Sequence, residues 1–232
     1  MKSIGLSMAK SKWLFLDVDS SLSQINAALS LAKFDLEIGR GFEPLSRSTK
    51  ALNYRFIEKT IEIERVADPF GEVNEIQTVR YAMTRFEIHR RLSSPGSYLL
   101  EIENPPRTVR SMIGALAAAL GHITVYEVEW SVLDFYFRIK HESPRAKIVK
   151  LKASKIPISD SSAMKVEISS VKDAFADYLH KFPGSEGRID KIRVDRPFMD
   201  VAGFLEVGAN GLCIFDDEVG DRVKGMILSI YV

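Results

Sequence analysis

Residues 13–38, WLFLDVDSSLSQINAALSLAKFDLEI, and residues 98–125, YLLEIENPPRTVRSMIGALAAALGHITV, pass through the same four steps: an apolar strand, an acidic end, a capped helix and a second strand. The fold turns on how this pair is read. In the first stretch Lys12–Val18 is a largely apolar run of the kind a buried strand needs. Leu22, Ile25, Leu29 and Ala32 then recur at the spacing of one helix face, so a helix is expected from about Ser20. In the second stretch Val109, Met112, Ile113, Leu116 and Leu120 make the buried face of the clearest helix in the chain. Asn104 can cap it, Pro105 suits its first turn, and Gly121 suits a left-handed end. The two stretches hardly match residue for residue, so they read as a degenerate structural repeat of split β-α-β type.

Between and beyond these stretches, Phe34–Ile38 is expected as a strand and GRGFEPLSRSTK, rich in Gly, Pro and Ser, as a loop. Thr60–Val66 alternates Ile61 and Ile63 against Glu62 and Glu64, the pattern of a half-exposed strand, and ADPFGE supplies a turn. In Ile76–His89 the apolar parity shifts from Val79, Tyr81 and Met83 to Phe86 and Ile88, which predicts a bulge or bend. Ile123–Ile139 changes parity in the same way, from Tyr126, Val128 and Trp130 to Leu133, Phe135 and Phe137, and reads as one bent strand or two short ones. A third helix is expected with Ser170 as cap, with Val171, Phe175, Tyr178, Leu179 and Phe182 on one face, stopped by Pro183 and Gly184. The tail reads as strands: DKIRVD, then GFLEV and LCIFD joined by the hairpin signal Asn210-Gly211, then VKGMILSIYV. The expected fold is α+β, a mostly antiparallel sheet with three main helices. Residues 1–141 make a domain with two β-α-β-like units, and 164–232 a small helix-plus-antiparallel-strand unit, joined by a basic connection over 142–163 that holds two prolines and several serines.

The chain has 232 residues, 46% hydrophobic and 27% charged, enough to bury a core. With 32 basic against 31 acidic side chains its net charge is +1, so no whole-molecule field steers it to nucleic acid or membrane. The single cysteine, Cys213, excludes an internal disulfide framework or thiolate metal cage, and its apolar setting GLCIF reads as a buried strand. The opening MKSIGLSMAKSKW has no apolar stretch of signal-peptide length, and a cytoplasmic, membrane-free protein is expected.

The strongest local bias is basic. Arg138, Lys140, Arg145, Lys147, Lys150, Lys152 and Lys155 stand against one acid, Glu142. Such a segment can contact successive phosphates without reading bases, and Arg80, Arg85, Arg90, Arg91, Arg107 and Arg110 are candidates to extend it. The competing account is a solvated strand whose lysines discourage edge pairing. The leading expectation is a non-catalytic binding component, engaging nucleic-acid backbone or a protein partner, with self-association through unpaired sheet edges. A pure protein-protein adaptor is an alternative.

One motif points elsewhere. FLDVDSSL resembles the first motif of the haloacid dehalogenase-type phosphatases, an apolar strand ending in Asp-x-Asp, although Ser20 and Ser21 stand where that family usually has Gly and Thr. The resemblance implies Asp17 as nucleophile, Asp19 as acid/base, and Mg²⁺ with Asp216 or Asp217 of GLCIFDDE as its ligand. It also implies alternating β and α segments in a parallel sheet. The simpler account has Asp19 or Ser20 capping the helix, and Asp216, Asp217, Glu218 and Asp221 at a solvated turn between strands. His89, His122, His141 and His180 show no metal-ligand spacing, and there is no Walker loop, G-x-G-x-x-G or G-x-S-x-G. No cofactor is expected, with Mg²⁺ tied to the phosphatase alternative alone.

Overall fold

In chain order the elements are β1 (Met8–Val18), α1 (Leu22–Leu31), β2 (Arg40–Arg47), β3 (Ala51–Ala67), β4 (Val73–Arg90), β5 (Ser97–Glu103), α2 (Arg110–Leu120), β6 (Ile123–Glu127), α3 (Val132–Glu142), β7 (Lys147–Ser159), β8 (Ser162–Ser169), α4 (Ala174–Lys181), β9 (Arg188–Asp195), β10 (Phe204–Gly208), β11 (Leu212–Asp216), a 3₁₀ turn (Asp217–Val219) and α5 (Gly220–Tyr231). The computed structural model describes residues 8–67, 69–70, 72–91, 94–185, 187–199 and 201–232. The fold is α+β with mostly antiparallel pairing. Contacts divide the chain into a unit of Phe15–Val125 and a unit made of the chain up to Leu14 together with Tyr126–Val232. The boundary falls inside β1.

In the Phe15–Val125 unit β2, β3, β4 and β5 are successive neighbours. Helix α1 begins with a reciprocal capping box: Ser21 Oγ accepts from Gln24 N–H, and the Gln24 side chain accepts from Ser21 N–H. The cap is therefore Ser21 rather than the expected Asp19 or Ser20. Ile25 and Leu29 are fully buried, and Tyr54 of β3 donates to Asn26 on the same helix. The expected strand at Phe34–Ile38 is a turn, pinned by Asp35, whose carboxylate accepts from the N–H of Glu37 and Ile38. Those bonds hold the Asp35 carboxyl below its ordinary pKa. The expected loop at 39–50 holds β2, and crowding accounts for its Gly41. A Cβ on Gly41 would lie 2.4 Å from the Lys33 carbonyl oxygen.

Strands β3 and β4 pair without interruption from Ala51↔His89 to Ala67↔Val73, so the expected bulge is absent. The parity shift has another cause. At the base of the hairpin, Leu52↔Ile88 and Tyr54↔Phe86 are buried on the face that Tyr54 turns to α1. From Thr60 to Met83 every described residue is exposed, and the apolar side chains Ile61, Ile63, Val79 and Met83 occupy the opposite parity. The ribbon thus exchanges its apolar face where it outruns its helical cover. Helix α2 starts at Arg110 with no side-chain cap, later than the expected Asn104 and Pro105, while Gly121 ends it as expected, though at φ 81° and ψ −131° rather than in the left-handed helical conformation.

In the other unit the order is β1, β11, β10, β9, β7, β8. Ile148, Leu151, Ile192, Val194, Leu205, Val207 and Cys213 are fully buried. Register places them on one face of these strands. The hairpin signal Asn210-Gly211 is observed as the β10–β11 turn, Gly211 at φ 84°. Residues 132–139, expected as strand, belong to α3, with Ser131 Oγ accepting from Asp134 N–H and Val132, Phe135, Tyr136 and Ile139 buried. The expected connection over 142–163 is largely β7. The terminal VKGMILSIYV, expected as a strand, belongs to α5, so five α-helices rather than three stand among the described residues. Helix α4 is capped by Asp173 rather than Ser170, and Val171 lies exposed before it. The free Asp173 oxygen accepts from Tyr136 of α3, and burial together with this bond pushes the Tyr136 phenol well above its ordinary pKa. Among the described residues no helix is long and apolar enough to cross a membrane.

Candidate nucleic-acid interface

The covered face of the β1–β11–β10–β9–β7–β8 strands takes the apolar residues, and alternation sends their neighbours to the other face. Register then assembles two rows from distant segments. One runs Lys10, Ile214, Glu206, Arg193, Lys150, Ser169. The other contains Lys12 opposite Leu212, and Gly208, Lys191, Lys152 and Glu167 in succession. Six cations share these rows with two carboxylates.

Across the β7–β9 ladder the pairing is cation against cation: Lys150 faces Arg193 and Lys152 faces Lys191. Like charges in this position repel. The two carboxylates relieve part of the charge. Lys191 Nζ is 2.6 Å from Glu206 Oε1, and Lys152 Nζ is 2.9 Å from Glu167 Oε2. The Lys152 hydrogen bond holds the Glu167 carboxyl below its usual range, and the same bond raises the Lys152 pKa. Arg193 lies over the Phe204 ring, 3.7 Å from its centroid, which fixes the guanidinium on the surface. Lys12 is held by Glu127 and the Asn210 carbonyl, each at 2.7 Å. A depression of about 660 Å³ opens on this face, lined by Lys152, Lys165, Arg188 and Lys191 among others.

The expected basic segment is split by the structure. Lys147, Lys150 and Lys152 project from β7 to this face, although the Lys147 ammonium donates to the Val171 carbonyl. Arg138 and Lys140 are on α3 and Arg145 in the loop after it, with Lys140 donating to the Ala146 carbonyl, and Lys155 is exposed at a left-handed position, φ 55°. These four lie outside the two rows. Sequence reasoning missed Lys10, Lys12, Lys191 and Arg193, since nothing local links them to the segment. No family model matches this chain, and no curated protein matches it.

Arg80, Arg85, Arg90, Arg91, Arg107 and Arg110 all belong to the Phe15–Val125 unit. There Arg80 pairs with Glu62 and Arg91 lies over the Phe15 ring. Asp17 is half-buried, with Oδ1 lacking a hydrogen-bond partner among the described residues, and Asp19 is exposed beside Arg90 and Arg91 at a hollow of about 450 Å³. The mostly antiparallel pairing differs from the parallel sheet that the phosphatase resemblance implies. Asp216 is buried and accepts from Phe204 N–H at 2.9 Å, while Asp217 is exposed on the following 3₁₀ turn, so the two carboxylates serve different surroundings. Metal-ligand side chains do converge at Glu87, His89 and Glu101.

Proposed function

We propose that the protein is a binding component that holds nucleic-acid backbone on the two basic rows. The observation that carries this reading is the cation-to-cation register of Lys150 with Arg193 and Lys152 with Lys191. A surface that places like charges across a ladder gains when an anion with regularly spaced charges lies along it, and a phosphate chain is such an anion. The contacts are to phosphates, so affinity is expected to vary little with base sequence. Fluorescence anisotropy with labelled single- and double-stranded DNA and RNA, at low and near-physiological salt, tests it. Saturable binding that weakens steeply with salt is expected, and absence of binding at low salt refutes the proposal.

Self-association is a second reading, favoured by the β3–β4 ribbon. Ile61, Ile63 and Met83 are each more than half exposed on one of its faces, at 56%, 56% and 57%. An isolated two-stranded ribbon is marginal in water, and an apolar face on it marks a contact surface. Light scattering on the eluting protein should give more than one chain per particle, and Ile61→Asp with Val79→Asp should return it to one. A monomeric wild type removes this reading.

A further inference from the structure

On the Phe15–Val125 unit, Glu87 of β4 and Glu101 of β5 are register partners. His89, two residues along β4, projects to the same side, away from the face that Tyr54 and Phe86 share. His89 and Glu101 are each 4% exposed, and Glu87 is half-buried. One ligand atom from each of the three lies within 4.8 Å of the others. His89 Nε2 stands 3.7 Å from Glu101 Oε2 and 3.9 Å from Glu87 Oε2.

These separations are informative. A direct charge-assisted hydrogen bond would close to about 2.8 Å, and neither carboxylate comes that near. Nitrogen and oxygen atoms bound tetrahedrally to one ion at about 2.0–2.2 Å stand about 3.3–3.6 Å apart, so small side-chain adjustments would bring these three onto one ion. Charge points the same way, because two carboxylates opposite each other on adjacent strands repel, and burial raises the cost. The backbone also holds the group in place: Glu87 is paired with Asn53 on one side and Glu101 on the other, and His89 with Ala51 and Leu99.

We propose that Glu87, His89 and Glu101 bind one first-row divalent transition cation of the zinc class, through His89 Nε2 and an oxygen of each glutamate. An imidazole among the ligands selects this class over Mg²⁺ and Ca²⁺, which prefer all-oxygen sites. The half-buried Glu87 leaves the ion a way in. The site is independent of the nucleic-acid reading, since its residues lie on other strands.

The experiment is calorimetric titration of the full chain, stripped with a chelator, with zinc chloride and in parallel with magnesium chloride. One equivalent of zinc per chain is expected, with no saturable magnesium binding. Glu87→Gln and His89→Ala should each weaken zinc by about tenfold or more, no less than the loss of a supporting outer-shell group does. Zinc-edge X-ray absorption of the loaded protein should show one imidazole and no sulfur. Failure of the wild type to bind zinc saturably overturns the proposal, as does a sulfur ligand or binding that magnesium matches. If His89→Ala does not fold, Glu87→Gln at the half-buried position carries the test, and wild-type zinc affinity in that variant overturns the site.

Discussion

Across β7 and β9, Lys150 faces Arg193 and Lys152 faces Lys191 on an open surface; across β4 and β5, Glu87 faces Glu101 largely under cover. Both ladders break the same rule of cross-strand pairing, with different consequences. On the open surface water and salt screen the repulsion, so the fold tolerates it, and on the proposed reading the remaining charge meets a partner. Under cover there is little screening. His89 stands between the two carboxylates there, and the proposed ion would add positive charge at the same point. On these two proposals, like charges in register answer to an external ligand where they are exposed and to an internal one where they are buried.

Zinc probes the buried half of this contrast most strongly. At a hundred times its dissociation constant it should stabilise the protein by about 2.7 kcal/mol. That is a rise in Tm of about 5 °C or more for a chain of this size. Thermal unfolding with and without zinc checks it, and Glu101→Gln should abolish the rise. In chelator the same variant should melt no lower than wild type, because it removes one of two opposed charges. A lower Tm in chelator would mean that Glu101 stabilises the apo fold by other contacts.

Next in size is the open half. Lys150→Glu with Lys152→Glu should lower nucleic-acid affinity by about tenfold or more at low salt and make the salt dependence shallower by about 0.9 in log-log slope per lost phosphate contact. Anisotropy over a salt series measures both, and an unchanged slope places the contacts elsewhere. A slighter effect is on stability. The Glu167 pKa is lowered, so its pairing with Lys152 contributes above the ordinary glutamate range and is lost as pH falls through the lowered value. Wild type and Glu167→Gln should differ slightly in Tm at neutral pH, with the difference vanishing in acid. Because the pair is exposed, a large difference at neutral pH would contradict the idea that this surface is screened.

Local patterns are legible in the sequence. The spacing of Leu22, Ile25 and Leu29, the Asn210-Gly211 signal and the alternation of Ile61 and Ile63 each lead to the observed helix, turn and strand. Helix α3 resembles a strand because apolar alternation can arise on a helix too: Leu133, Phe135 and Phe137 alternate, while Val132, Phe135, Tyr136 and Ile139 carry the helical face. The signal that distinguishes the two is the Ser131 cap with Asp134 three residues on. Strand β2 is hidden by Gly41 and Pro44, since pairing with β3 outweighs local preference there. The basic rows are half legible. Lys150 and Lys152 fall in the expected segment, but their partners arrive through register, which no local pattern encodes. Glu87 and His89, two apart on a strand, are a readable hint that two ligands share a face, and Glu101 could be added only once β5 was placed beside β4.

The pairing of Met8 with Asp216 and of Lys12 with Leu212 bears on biosynthesis. A ribosome delivers the first strand about 200 residues before its partner, whereas Phe15–Val125 is contiguous chain that can gather as it emerges. Closing so long a loop costs little more entropy than closing one of half the length, about 0.6 kcal/mol, but the contact is slow to find. Through that interval the edge of β1 that β11 will take stays open, and lysines such as Lys10 and Lys12 along it disfavour pairing with the same edge of a neighbouring nascent chain.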